Sequence, residues 1–427
     1  MAPRPDKIQT APRRTEEATI TRVGGQGDGV GETAAGARIY APYTLPGERV
    51  MATVAGERAE VLEVLQTSAD RVTPPCPHFG LCGGCALQHW AAPPYLAWKA
   101  ELIRDALARE GLESEILPTF ASPPGSRRRL ALHARPETQD RARLGYKQRG
   151  SWKLVEIEVC PIADPRLQAR IPALRRLAAP FMEHPKSAPT LHVTWTDTGL
   201  DVDVTGVERR TGGLSADALV RAAAAAQALD AARVTLAGEM VYQARQPVVR
   251  IGPAAVALPP GAFLQATPQA EAAMGDFLVA AVSGASRIAD LFCGVGTFTV
   301  RLAEVARVHA VDSSAPAVAA LLAAGGAAGL KTVTTEARDL FRRPVLAQEL
   351  KRYDAVVFDP PRAGAAAQSA ELAASKVDLV LGVSCNPASF AHDARVLVAA
   401  GFRLEKVLPV DQFLWSPHVE LVGVFVR

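Results

Sequence analysis

From residue 266 to the last residue, segments with helical periodicity alternate with short apolar runs of strand character. Such alternation argues for a parallel sheet covered on both faces, because neighbouring parallel strands need a crossover long enough to hold a helix. Open sheets of this kind collect ligands beyond the carboxyl ends of their strands. The runs here end in residues able to do chemistry: Asp290 in RIADLFCGVGTFTVRLA (287–303), Asp312 in RVHAVD (307–312), Asp359 in YDAVVFDPPRAG (353–364) and Cys385 in DLVLGVSCNPASFAHD (378–393). The expected fold class for this block is therefore a Rossmann-like α/β domain.

Glycines at 294 and 296 let the backbone approach a ligand at the start of a helix. Asp312 follows Asp290 by twenty-two residues, the place from which an acid accepts hydrogen bonds from ribose hydroxyls. The turn after Asp290 lacks the third glycine of a dinucleotide fingerprint, with Thr297 and Phe298 following Gly296, which favours S-adenosylmethionine over NAD. Where an enzyme methylating adenine amino groups would place an aromatic after Pro360–Pro361, Arg362 stands. Cys385 leaves an apolar strand just before a helix, and a thiol at that positive end is expected to have a depressed pKa, although a small buried hydrophobe would look the same. His418 and Glu420 head a final apolar strand, LWSPHVELVGVFVR (414–427), where an acid is either partnered, functional or an ordinary edge residue.

The front of the chain reads differently. Residues 1–17 are basic and Pro-rich and are expected to be a flexible tail, and 18–66 show short β-prone runs between Gly-rich turns, as a five-strand oligonucleotide-binding barrel would. A central segment, 67–262, holds Cys76, Cys82 and Cys85, an amphipathic helix near 95–110 that could pack on the C-terminal domain, and an Ala-rich helix at 215–232 read as scaffold. No signal peptide and no run near ~18 apolar residues is present, so a cytoplasmic, non-membrane protein is expected, and in that reducing setting clustered cysteines point to metal or catalysis. From 127 to 153 nine Lys or Arg stand against two acids, with Tyr146 and Trp152 interleaved. Such a stretch suits RNA or single strands, or is simply a solvated face.

Taken in order, the barrel, C-x5-C-G-G-C with a later CPI, FLQ, DLFCGVGTFT, DPPRAG, SCNPASFAHD and the terminal HVE resemble the RNA 5-methyluridine (uracil-C5) methyltransferase family, the TrmA/RlmD-like enzymes, over nearly the whole chain. The resemblance implies a TRAM-type barrel, a central α+β iron–sulfur RNA-binding domain and a methyltransferase domain at 263–427. It implies Cys385 as nucleophile and Glu420 as general base. Gln265, Phe292, Thr297, Asp312, Asp339 and Asp359 would line the S-adenosylmethionine pocket, with Thr297 and Asp312 departing from the family's usual Asn and Glu. Phe263 would stack on the target base, and Arg127, Arg128 and Arg129 would meet RNA. Cys160 of EVCPIAD would complete a [4Fe–4S] cluster with Cys76, Cys82 and Cys85, although four thiolates suit structural zinc as well. The expected partner is 23S rRNA, with the T-loop of tRNA as the alternative, and the expected state is a monomer. Two rivals remain open at this point: a non-catalytic iron–sulfur RNA-binding protein and an amino-group methyltransferase.

Overall fold

The computed structural model describes residues 13–208 and 214–427. It divides into two compact units, the first running to Trp98 and including Trp415–Pro417, the second comprising Lys99–Leu414 and His418–Arg427. The expected tail and domain boundaries cut the chain elsewhere. Residues 1–12 of that tail lie outside the described residues, and Arg14–Glu17 already belong to a strand.

In the first unit Arg14–Val23, Gly29–Thr33, Arg38–Ala41, Arg58–Gln66 and Arg49–Ala55 close, in that spatial order, into a barrel. Alternation explains why these residues form strands: Val50, Ala52 and Val54 point inward and the residues between them outward, so each strand buries one face. The five-strand barrel expected from 18–66 is present and starts four residues earlier.

The second unit holds two large sheets. A seven-stranded sheet runs in the order Leu154–Glu156, Ala142–Lys147, Arg129–Pro136, Thr190–Thr196, Gly199–Thr205, Ala231–Leu236 and Glu239–Gln243, with the helices Ile171–Ala178 and Ala216–Ala228 contributing to its core. The nine-stranded sheet has Val333–Ala337, Arg307–Asp312, Arg287–Leu291, Ala355–Phe358 and Leu379–Ser384 as its parallel half. Glu420–Val426 then inserts antiparallel between Leu379–Ser384 and Arg403–Asp411. Both faces are buried, as expected for a covered parallel sheet. Ala289, Leu291 and Phe358 face one core, and Ile288, Val357 and Leu381 the other. Ile103 and Leu107 of the helix Ala92–Arg109 pack in the first of these cores, and Glu115–Ile116 and Phe120–Ala121 pair with Arg403–Asp411. No helix among the described residues is long and apolar enough to cross a membrane.

Strand order reverses at Arg287–Leu291, whose sequence successors lie on one side and Ala355–Phe358 on the other. That reversal opens a crevice at the carboxyl ends of the strands. The antiparallel insertion brings the start of Glu420–Val426 to the same edge, since Ser384 and Leu421 are direct partners. Gly423 is required for this, because a Cβ there would lie 2.4 Å from the Phe390 ring of the helix Pro387–Ala399.

Candidate active site

The crevice is a cavity of about 500 Å³ whose wall includes Phe263, Gln265, Phe292, Asp312, Asp339, Asp359, Arg362, Cys385 and Glu420. Each is delivered by a strand end or the loop after it. Phe292 and Gly294 follow the strand Arg287–Leu291, and Phe292 takes the left-handed conformation (φ 63°), uncommon for a bulky residue and here located on the cavity wall. Gly296 (φ 93°) turns the loop so tightly that a Cβ would lie 2.3 Å from Leu321. The Phe292 and Phe341 rings stand 5.6 Å apart and form an aromatic wall. Asp312 accepts from the Gly294 amide at 2.9 Å and from the Ser314 amide at 2.8 Å, so its carboxylate is pinned at the mouth of the loop.

Thr297 departs from expectation. It is buried, at 7% exposure, and is not on the cavity wall, because the turn at Gly296 carries the chain back into the core, where Phe298 is also buried. Asp290, below the cavity, is fully buried and accepts from Thr299, and burial pushes its carboxyl up to about 7.

Cys385 and Glu420 leave adjacent strands side by side. Glu420 is 3% exposed, and burial raises its pKa to about 7 against the lowering effect of a hydrogen bond from Gln412. Asp359 is held well above the carboxylate range by burial, then by the charges of Glu420 and Asp290. The depressed pKa expected for Cys385 is not found: burial raises the thiol to about 11, Glu420 and Asp359 add to the rise, and Arg362 opposes it. A helix end favours thiolate by its dipole, but burial, reinforced by the two carboxyl groups the sheet brings in, outweighs it. Four carboxylates, Asp312, Asp339, Asp359 and Glu420, share this wall. Glu420 opposes ionisation of Asp359, and a wall this rich in carboxyl groups suits a cation flanked by a planar aromatic group. A thiol beside a buried carboxyl with a pKa near neutrality is also the pairing needed for covalent addition to, and elimination from, an unsaturated carbon.

A second, smaller cavity of about 190 Å³ shares Phe263 and Phe413 with the first and is lined by Arg127 and Arg129. Arg129 lies over the Phe263 ring at 5.2 Å and Arg127 over Phe413 at 5.7 Å. Arg128 is a correction. Just before the strand Arg129–Pro136, its side chain points inward, where it is 6% exposed, ion-paired with Glu271 and bonded to the Gln265 carbonyl at 3.1 Å, so it cannot reach a phosphate.

None of Cys76, Cys82, Cys85 and Cys160 is in a disulfide. Their chemistry fits thiolate ligation: the Gly84 amide donates to Cys82 Sγ at 3.4 Å, and charge on Cys76 opposes ionisation of Cys82, as closely spaced thiols do. Among the described residues, however, no group of three or more His, Cys, Asp or Glu is assembled to hold a metal ion.

Gln412 was not foreseen from sequence. It lies in DQF (411–413), eight residues before Glu420 and just past the strand Arg403–Asp411, and only its polar character there could have marked it.

A family model described as tRNA (uracil-5-)-methyltransferase matches residues 256–427. A protein of Caulobacter vibrioides named as an uncharacterized RNA methyltransferase is 66% identical over 96% of this chain and 100% of its own. The 23S rRNA (uracil(1939)-C(5))-methyltransferase RlmD of Chromohalobacter salexigens is 32% identical over 97% of this chain and 91% of its own. The tRNA (uracil-54, C5)-methyltransferase of Pyrococcus abyssi, solved in complex with S-adenosyl-L-homocysteine, has the same fold, with TM-score 0.68 and 22% identity over 96% of this chain and 100% of its own. The chain belongs to the RNA uracil-C5 methyltransferase family.

Proposed function

We propose that the protein methylates carbon 5 of a uridine in 23S rRNA, using S-adenosylmethionine and a covalent adduct between Cys385 and carbon 6. The observation that carries this reading is the placement of Cys385 and Glu420 side by side on one acidic, aromatic-walled cavity. When bound, S-adenosylmethionine supplies an electrophilic methyl group on a cationic sulfur. Asp312, Asp339 and Asp359 would hold its polar and charged parts, and Phe292 its adenine. Cys385 gives up its thiol proton to solvent and its Sγ adds to carbon 6, which moves the carbon 5–carbon 6 electron pair toward carbon 5 and the neighbouring carbonyl. Arg362 assists by favouring the thiolate. After methylation, Glu420 takes the carbon 5 proton, the double bond re-forms and the carbon–sulfur bond breaks, returning Cys385 as thiolate. Phe263, 65% exposed at the mouth, would stack on the uracil once it swings out of its helix, at a cost of about a few kcal/mol.

The choice of 23S rRNA is supported by the near full-length relationship to RlmD. Transfer RNA is the second reading, favoured by the activity of the Pyrococcus abyssi enzyme and by the description of the family model. Mapping 5-methyluridine in both RNAs from a deletion strain separates them. Loss from 23S rRNA alone supports the first, loss from tRNA alone the second, and loss from neither contradicts the function.

RNA would also reach the smaller cavity. Changing Arg127 and Arg129 to Ala is expected to weaken RNA binding and to lower its salt slope by up to about one unit for each phosphate no longer neutralised. Arg128→Ala is expected to leave that slope alone and to cost about 3–5 kcal/mol of stability, because Glu271 stays buried without its partner. Filter binding from low to high salt, with parallel denaturant melts, checks both. An unchanged slope in the double variant makes Arg127 and Arg129 a solvated face.

Cys76, Cys82, Cys85 and Cys160 are proposed to hold a [4Fe–4S] cluster that serves structure, since methyl transfer from a sulfonium moves no net electrons. Protein purified without oxygen should contain about four irons and four sulfides per chain. Zinc without iron would overturn this. Cys160→Ala is expected to lower folding yield or RNA affinity before it slows the chemical step.

A further inference from the structure

Gln412 is 2% exposed and all of its amide capacity is used. Its Oε1 accepts from the Ala266 backbone amide at 2.7 Å, which fixes the way the side chain faces, because a backbone N–H cannot donate to an NH2 group. Nε2 must then point the other way, and it donates to Glu420 Oε2 at 2.6 Å and to Gln265 Oε1 at 2.7 Å. Gln265, its oxygen occupied, turns its own Nε2 toward Asp359 Oδ2, 3.4 Å away. One backbone amide therefore orients the whole network, and Glu420 can only be an acceptor within it. The segment carrying Gln412 is itself clamped: Lys99, fully buried, donates to Asp411 at 3.0 Å and to the His418 carbonyl, tying both ends of the connection between the last two strands.

We propose that Gln412 is a positioning residue for the final proton abstraction: one of its N–H donors holds one oxygen of Glu420 and leaves the other for the carbon 5 proton, while the second, given to Gln265, registers Glu420 against Gln265 and Asp359. Gln412 is not on the wall of the catalytic cavity, so it acts through Glu420 and not on the base. The inference rests on the roles proposed above for Cys385 and Glu420. The groups facing Glu420 are Cys385 from one neighbouring strand, Asp359 from the next, and Gln412 from the other side. Asp411, beside Gln412, is neutralised by Lys99. Arg362 is the cation acting on Cys385 and on His418, two residues before Glu420. Among these neighbours Gln412 donates a hydrogen bond to the Glu420 carboxylate, and that bond lowers the pKa burial has raised.

The test is a single-turnover experiment on RNA with labelled methyl donor, following formation and resolution of the covalent complex separately across pH. In Gln412→Leu, formation should stay within about threefold of the unmutated enzyme, while resolution should slow about tenfold or more. Its pH midpoint should also move above the unmutated value near 7, because a base that has lost a donor binds its proton more tightly. Gln412→Glu keeps the volume and the acceptor for Ala266 but turns an oxygen on Glu420, and should raise the midpoint as well; it decides the matter if Gln412→Leu does not fold. An unchanged resolution rate and midpoint overturns the proposal. So does an equal fall in both steps with no shift in midpoint, which is what a purely structural role gives. Absence of any covalent complex in the unmutated enzyme overturns the proposed function itself.

Discussion

Cys385→Ala is expected to lower methyl transfer by about a thousandfold or more and to leave no RNA–protein bond that survives denaturant. Carbon 5 of uracil is too weak a nucleophile to attack a methyl group unaided, and the thiol is what makes it reactive. Removing the sulfur leaves the cavity, its carboxylates and its aromatic walls in place, so RNA and methyl donor should still bind. The loss should therefore fall on turnover and not on affinity. The result is sharpened by the electrostatics: with its pKa near 11 the thiol is protonated at neutrality, and the site must draw the proton away as addition proceeds. Retained methylation in Cys385→Ala would make an amino-group target the better reading.

Glu420→Gln is expected to fail at the opposite end of the same intermediate. Addition and methyl transfer need no base at carbon 5, so both should proceed. The proton on carbon 5 then has no acceptor, the double bond cannot re-form, and Cys385 cannot leave. A methylated covalent complex should accumulate to nearly one per enzyme, with multiple turnover reduced about a hundredfold or more, at the lower end of general-base effects. The amide substitution is close in size and still meets Gln412, so the network around it is kept largely intact. Normal turnover would pass the role to another group, for which Asp359 is the buried candidate on the same wall.

The parallel half of the catalytic sheet and its motif residues were legible because they are local. Strand, turn and helix follow one another locally, and Asp290, Asp312, Asp359 and Cys385 each lie at, or within one residue of, the end of their own strand. What was not legible depends on residues far apart in the chain. Arg128 looks like its neighbours in RRRLALHAR until the fold supplies Glu271, 143 positions away, and only then does it become a core ion pair. Cys385 was expected to be acidified by its helix, a local effect. The assembled sheet instead buries it and, through the antiparallel insertion of Glu420–Val426, sets a carboxyl group beside it, and together these reverse the sign. Gln412 matters only through Gln265, 147 positions away, and through Glu420. The unit boundary inside the helix Ala92–Arg109 has a similar cause: nothing in an amphipathic helix says that its later residues, Ile103 and Leu107, pack with the sheet of a domain beginning far downstream.

The most direct test uses RNA carrying 5-fluorouridine at the target position, the unmutated protein and labelled methyl donor. Fluorine cannot leave as a cation, so Glu420 has no proton to take and the reaction should stop after methyl transfer. A denaturing gel should show one band carrying both protein and labelled methyl group, and peptide mass spectrometry should place the modified nucleotide on Cys385. No such band, or one whose nucleotide is joined to any other residue, would contradict covalent catalysis by Cys385.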